Sequence, residues 1–212
     1  MRSKTADEIL EKIRNKKTPY FVTYNGLWIR VDSEVYPPSA DSFFLADNLR
    51  GIFGVKQGER VFDYGCGSGI LSLVSANCGG NVVGVDINPN AVNCARINAS
   101  TNNLDINIEI RQGGFGALFE EERFDVVAAN LPFENSTPAD LLEYSVYDPG
   151  FRMRHGLFRM KKHLSANGRI FFTYSERVLE IESIEKFTKG FCVEVIDRKI
   201  IDGETYLMYL IK

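Results

Sequence analysis

The chain has 212 residues, a formal net charge of −3, four cysteines and two histidines, a size suited to one domain with a sizeable core plus a small appendage. A hydrophobic share of 44% beside 25% charged residues is ordinary for a soluble globular protein, and no apolar run reaches transmembrane length. The cysteines at 66, 78, 94 and 192 lack metal-ligand spacing and residues 1–17 lack the apolar core of a signal peptide, so the expectation is a cytoplasmic protein with reduced thiols and no metal.

In chain order, residues 3–16 are expected as a charged helix with Ile9, Leu10 and Ile13 as a thin apolar stripe. Tyr20–Tyr24 and Leu27–Val31 flank Asn25-Gly26, a hairpin signal. Val35-Tyr36-Pro37-Pro38-Ser39 cannot be helical, and helical periodicity resumes from Ser42 through Phe43, Phe44, Ala46 and Leu49. Strands are then expected at 60–64, 81–86, 106–111, 123–129 and 168–174, with helices at 69–78, 89–102, 151–165 and 176–188. That alternation predicts a parallel sheet with right-handed crossovers. Phe191–Asp197 and Glu204–Ile211, separated by a connection that ends in Asp202-Gly203, predict a closing antiparallel hairpin. The expected fold class is α/β with seven strands, mostly parallel, preceded by an extension over 1–33 and occupying 34–212.

Three stretches carry chemistry. Val61-Phe62-Asp63-Tyr64-Gly65-Cys66-Gly67-Ser68-Gly69-Ile70 reads as a buried strand that ends on an acid and turns through alternate glycines into a helix. A dinucleotide-binding turn needs G-x-G-x-x-G, and Ile70 stands where its third glycine belongs. Alone, the pattern is equally a glycine turn without a ligand. Asn81–Asp86 is a β-branched run that ends on a second acid, followed by Ile87; Asp86 reads either as an acceptor for a ribose diol or as a solvated strand-end carboxylate. Asn88 and Pro89 are placed as cap and first residue of the next helix. The third stretch runs from Val126 into Asn130-Leu131-Pro132-Phe133. A planar nitrogen has its lone pair delocalised, so a site that alkylates it must hold both its hydrogens on acceptors. The Asn130 side-chain oxygen and the Leu131 carbonyl can be those acceptors, and Phe133 can stack on the flat group. Pro132 keeps Leu131 extended. The plainer reading is an ordinary strand exit with a proline.

The D-x-G-x-G-x-G stretch from Asp63 to Gly69 resembles the first motif of class I S-adenosylmethionine-dependent methyltransferases, and Asp86 matches their ribose-binding acid. Asn130-Leu131-Pro132-Phe133 resembles the N/D-P-P-Y/F motif of members that act on planar nitrogen. Glu34–Leu45, with Pro38, Asp41 and Ser42, and the stretch Gly84–Val92 are similar to HemK-like protein glutamine methyltransferases; the likeness covers about residues 30 to 133. The resemblance implies a Rossmann-like methyltransferase sheet and S-adenosylmethionine as cofactor. It implies cofactor contacts from Pro38, Asp41 and Ser42 over the methionine end and from Asp63, Gly65, Cys66, Gly67 and Gly69. Asp86 and Ile87, the loop Gly113-Gly114-Phe115, and Asn130 complete that set.

The sequence departs from the family in three ways. Leu131 replaces a proline, which makes the motif similar to that of ribosomal RNA adenine dimethyltransferases; Gln112-Gly113-Gly114 lacks the acid that often binds the adenine; and the long N-terminal domain of bacterial release-factor enzymes is replaced by residues 1–33, expected as a lid or substrate collar. The expected acceptor is a protein glutamine, then an RNA exocyclic amine, then a small molecule; a non-catalytic cofactor-binding module is the reading from another class. A monomer or weak dimer without membrane or metal partners is expected. The basic segment Phe151–His163 is read as the solvated face of a crossover helix, with a phosphate-contacting face as the alternative, and His155 and His163 are expected on the surface. Tyr144 and Tyr147, in the long loop after Phe133, are expected on a wall of the substrate pocket.

Overall fold

The computed structural model describes residues 4–176, 184 and 188–212. Among these, helix α1 (Lys4–Asn15) precedes a hairpin of β1 (Tyr20–Tyr24) and β2 (Leu27–Val31), and α2 (Ala40–Leu49) follows. The main sheet is built from β3 (Arg60–Tyr64), β4 (Asn81–Asp86), β5 (Ile108–Gln112), β6 (Phe124–Ala129), β7 (Leu164–Ser175), β8 (Val193–Ile201) and β9 (Glu204–Ile211). Helices α3 (Ile70–Asn77), α4 (Pro89–Thr101) and α5 (Arg152–Arg159) connect the parallel strands.

The sheet order is β5-β4-β3-β6-β7-β9-β8. Strands β3 to β7 pair in parallel, and β7–β9 and β8–β9 pair antiparallel. The chain steps outward from β3 to β5, then returns to lay β6 on the other side of β3. Ligands of open α/β sheets sit at such a reversal, beyond the carboxyl ends of the strands. Asp63, Asp86 and Asn130 lie at or next to the carboxyl ends of β3, β4 and β6.

Side-chain alternation along the strands divides the core between the two faces. Val61, Val82, Val126, Ala128 and Phe171 face α2, α3 and α4 through Leu45, Leu49, Leu73, Val74 and Val92. Phe62, Val83, Val127, Ala129 and Phe172 face the other way, onto Leu157, Phe158 and Met160 of α5 and the turn after it. The β1–β2 hairpin is held by α4. Asn98 accepts from the Arg30 amide (2.8 Å) and donates to the Arg30 carbonyl (2.8 Å), and Asn102 does the same for Trp28 (2.9 and 2.8 Å). Two asparagines one helical turn apart thus pair with the hairpin edge as a strand would. Asn98 also donates to the Ser68 carbonyl at 2.8 Å, which links the hairpin to the glycine turn.

Several boundaries differ from expectation. The helix expected at 151–165 ends at Arg159 and continues as a 3-10 turn over Met160–His163, and β7 starts at Leu164 rather than 168. Ser165-Ala166-Asn167-Gly168, the junction between the expected helix and strand, is absorbed as an irregularity in which Phe124 pairs with Leu164 and Val126 with Arg169. Strand β8 runs on to Ile201, so the hairpin turn is Asp202-Gly203 alone, both with positive φ. The helix expected at 176–188 falls largely on 177–183 and 185–187, outside the described residues. His163 is buried, not on the surface, with Nδ1 3.0 Å from the Glu122 carbonyl oxygen. Arg154, within the segment read as a solvated face, is 1% exposed.

Candidate active site

A cavity of about 530 Å³ opens at the carboxyl edge of the sheet, within the size range of small-molecule sites. Its floor is the turn after β3. The Gly65 and Cys66 amides both donate to the Val85 carbonyl (2.9 Å each), and the Gly69 amide donates to the Cys66 carbonyl (2.8 Å). Two glycines are required here on separate grounds. At Gly67, φ is 54°, and an added Cβ would meet nothing nearer than the Tyr36 carbonyl at 3.9 Å, so the backbone is left open to the cavity. At Gly69, φ is 88° and an added Cβ would press on Ala95 of α4 at 3.1 Å.

Asp86 is tied into this turn. Its carboxylate accepts from the Gly67 amide at 2.9 Å and from the Asn88 amide at 2.8 Å. Burial raises its pKa, and those amides pull it back. Asn88 caps α4 by accepting from the Asn90 amide (2.9 Å), and its Nδ2 donates to the Glu34 carbonyl (2.7 Å), which brings the segment 34–39 over the cavity. Asp63, directly under the turn, is fully buried. Ser72 donates to its Oδ2 at 2.6 Å while Oδ1 has no hydrogen-bond partner. Burial pushes the Asp63 carboxyl up to about 7 against the hydroxyl and amide of Ser72. Burial also raises the Cys66 thiol and pushes the Tyr36 phenol to about 12.

The opposite wall is the exit from β6. Asn130 donates from Nδ2 to Ser42 Oγ at 3.0 Å, and its Oδ1 is buried without a partner. Leu131 is 3% exposed and belongs to the α5-side core. The Pro132 carbonyl accepts from Arg154 Nη2 at 3.5 Å, and the Arg154 guanidinium lies over the rings of Phe151 (4.3 Å) and Tyr174 (4.6 Å). Phe133 packs between Tyr174 and Tyr206, with centroids at 6.2 and 6.0 Å.

The fold brings Pro38, Asp41, Ser42, Gly65, Cys66, Gly67, Asp86, Ile87, Gly113 and Asn130–Phe133 around one cavity. Asp63, Gly69, Gly114 and Phe115 are not on its wall. The Phe115 ring packs tilted against Tyr64 (4.0 Å) and fills the space above Gly156, where any Cβ would collide with it. Tyr144 lines the cavity, but Tyr147 is fully buried and donates from its hydroxyl to Asp7 at 2.8 Å. From residues 1–33, expected as a lid or substrate collar, Thr5, Ala6 and Ile9 of α1 line the cavity, while Met153 and the β8–β9 turn (Ile201, Asp202) are contributions that sequence reading missed. Tyr36 and Tyr64 also line it; both lie inside the motifs that carry the resemblance. Every charged residue described on the wall is an acid: Glu34, Asp41, Asp86, Glu134, Asp202 and Glu204. Among the described residues no cluster of His, Cys, Asp or Glu is arranged to hold a metal ion, and no helix is long and apolar enough to cross a membrane.

These features fit S-adenosylmethionine. A bare-backbone cradle lies at Gly67, and Asp86, an acid at a strand end, lines the same cavity beside it. Comparison with known proteins points the same way. Residues 44–134 match the family model described as ribosomal protein L11 methyltransferase (PrmA). A ribosomal protein L11 methyltransferase of Burkholderia lata is 44% identical over 78 residues, 36% of this chain but 24% of that protein, so the chain spans about a quarter of such relatives. A Methanocaldococcus jannaschii protein named "Putative protein N5-glutamine methyltransferase MJ0928" is 30% identical over 198 residues, covering 88% of this chain and 96% of that protein. Among solved structures, the M. jannaschii tRNA m1G37 methyltransferase superposes with a TM-score of 0.68 at 20% identity, over 93% of this chain and 57% of that one, which shows the shared fold. The chain belongs to the S-adenosylmethionine-dependent methyltransferases.

Proposed function

We propose that this enzyme methylates a planar nitrogen, the side-chain amide of a glutamine in a protein. The observation that carries the reading is the Asn130 amide. Its nitrogen is committed to Ser42, and its oxygen is buried with nothing to accept from. A buried acceptor left unmade costs about 1–3 kcal/mol, and an incoming NH₂ group supplies the missing donor. S-adenosylmethionine, when bound, would supply an electrophilic methyl group and leave as S-adenosylhomocysteine. In this reading the Asn130 oxygen holds one amide hydrogen and the Leu131 carbonyl the other, which aligns the nitrogen lone pair with the methyl carbon. An amide nitrogen that gains a methyl group in this position would pass its extra proton to water, so no dedicated base is required of the protein.

The charge of the wall favours a protein acceptor over RNA. A phosphate backbone is bound by Lys and Arg, whereas the described wall presents only carboxylates. The name of the M. jannaschii relative, which matches nearly the whole chain, supports the same class. Residues 1–33 fit a substrate collar on the main unit 34–212. Helix α1 lines the cavity, and Arg14 bonds Asp140 (2.6 Å) and Glu143 (3.3 Å) of the loop after Phe133. Four cysteines without disulfides support work in a reducing, cytoplasmic compartment.

The test is methyl transfer from labelled cofactor to three panels: glutamine-bearing peptides, transcribed RNA, and metabolites. Labelled peptide is expected, with loss of about 100-fold in rate for Asn130→Ala and no change in S-adenosylhomocysteine affinity. Labelled RNA with unlabelled peptide would overturn the acceptor class; full activity of Asn130→Ala would overturn the mechanism.

A further inference from the structure

A primary amide has two ends that differ in chemistry and scarcely in shape. Asn130 can serve a planar NH₂ group only if its oxygen, not its nitrogen, faces the acceptor. Something must therefore decide which way the amide stands. The residue that touches its other end is Ser42, in the first turn of α2, 6% exposed and 3.0 Å from Asn130 Nδ2. A hydroxyl can donate or accept, so by itself Ser42 could hold the amide either way round.

The surrounding donors and acceptors decide its role. Asp41 is acceptor-only as a carboxylate, and its Oδ1 accepts from the Ser39 hydroxyl and from the Ser42 amide (2.9 Å). The Ser39 proton is thereby directed to Asp41, which leaves the Ser39 oxygen to accept. Ser39 Oγ lies 3.2 Å from Ser42 Oγ, so the Ser42 proton has an acceptor there. The Ser39 backbone amide also donates to Ser42 Oγ at 3.3 Å. With its proton directed to Ser39, Ser42 Oγ meets Asn130 as an acceptor and takes the Nδ2 end. The Asn130 oxygen is then turned away from α2 and stands unpartnered.

We propose that Ser42 is a positioning residue for methyl transfer: polarised by Ser39 and Asp41, it holds the Asn130 amide with its oxygen toward the acceptor nitrogen. This rests on the reading of Asn130 as a holder of that nitrogen. It gives Ser42 and Asp41 a role in acceptor alignment in place of the cofactor contact that the family resemblance implies for them.

Two readouts test it. The first needs no acceptor. In 15N-labelled protein the Asn130 side-chain NH₂ resonance, assigned by its absence in Asn130→Asp, is expected to exchange with solvent about tenfold faster in Ser42→Ala, the population equivalent of one hydrogen bond. Unchanged exchange overturns the proposal, and this readout decides it even where no peptide is methylated and the glutamine reading itself falls. The second uses the labelled peptide of the acceptor screen. Ser42→Ala is expected to lower kcat by about 10- to 100-fold with KM for the cofactor and S-adenosylhomocysteine affinity unchanged, and Ser42→Thr, which keeps the hydroxyl, to restore it. Because a carboxylate presents oxygen either way round, Ser42→Ala added to Asn130→Asp is expected to cost nothing further. A fall in cofactor affinity that matches the fall in turnover would return Ser42 to the cofactor site. Equal losses from Ser42→Ala with and without Asn130→Asp would show a merely structural role; either result overturns the proposal.

Discussion

The Gly67 amide donates to the Asp86 carboxylate at 2.9 Å, so the turn after β3 and the end of β4 form one unit. Asp86 is thus part of the scaffold, held by two amides, and it also lines the cavity, where the proposed function makes it the acceptor for the cofactor ribose. Asp86→Ala is expected to weaken S-adenosylhomocysteine binding by roughly 1.5–3 kcal/mol, the range for hydrogen bonds to a charged group. Calorimetry measures it. Equal affinity in a folded variant would remove Asp86 from the cofactor site.

Much of this site was legible because it is local. Gly65, Gly67, Asp86 and Asn130 each stand at or just past the carboxyl end of a strand, and in a parallel sheet those ends share one edge, where the cavity opens; Asp63 and Gly69, read from the same motif, lie off its wall. The β1–β2 hairpin was legible to the residue because Asn25-Gly26 supplies two positive φ values, 47° and 83°. Contributions made across the chain were not. Helix α1 lines the cavity with Thr5, Ala6 and Ile9 and is tied to the loop after Phe133 by Arg14 and Asp7, whose partners Asp140, Glu143 and Tyr147 lie far along the sequence. Its apolar stripe reads only as one face of a helix. Phe115 was misplaced for a related reason: its ring is drawn to the gap at Gly156, and a glycine inside a helical pattern does not say which side chain fills it.

The buried Asp63 carboxyl makes apo stability depend on pH. Its folded value, about 7, lies above the ordinary carboxylate range because of burial. The folded state therefore keeps a proton that the unfolded chain releases above about pH 4. The resulting stabilisation is complete below that range and is lost as pH rises toward 7. Asp86 and Asp148 are shifted in the same direction, and Glu59, Glu109, Glu122 and Asp125 are lowered, so only a difference isolates Asp63. Asp63→Asn is expected to flatten the decline in Tm between pH 4 and 7 relative to the parent chain. Parallel Tm profiles for the two proteins would refute this.

Arg154 and Asp148 are both buried, at 1% and 0% exposure. Asp148 accepts from the Met153 and Arg154 amides (2.9 and 3.2 Å), and the Arg154 guanidinium offsets part of the rise that burial imposes on its carboxyl. Removing the cation takes away that offset and the packing on Phe151 and Tyr174, while the backbone amides stay on Asp148. Arg154→Ala is expected to destabilise the protein by about 2–5 kcal/mol, the range for truncating a large buried side chain, read by denaturant unfolding, whereas Arg159→Ala, on the exposed side of α5, is expected to change little. A small effect at Arg154 would show that neither that offset nor the ring packing holds the fold.

Leu131→Pro separates the fold from the chemistry. The proposed contribution of residue 131 to catalysis is its main-chain carbonyl, which any residue supplies. Its side chain does other work: it is 3% exposed in the cluster with Phe62, Val127 and Leu157. Proline keeps the carbonyl and favours the extended backbone at Asn130 that a strand exit already needs. It also gives up part of the leucine packing. The expected outcome is a stability loss of about 2 kcal/mol, with kcat on the labelled peptide unchanged within about twofold below the melting transition. The measurement pairs thermal unfolding with single-turnover transfer in the same sample. Lost turnover in a folded variant that still binds S-adenosylhomocysteine would mean that the side chain, not the carbonyl, shapes the acceptor site. Equal stability with full turnover would mean instead that the core on the α5 side repacks freely around residue 131.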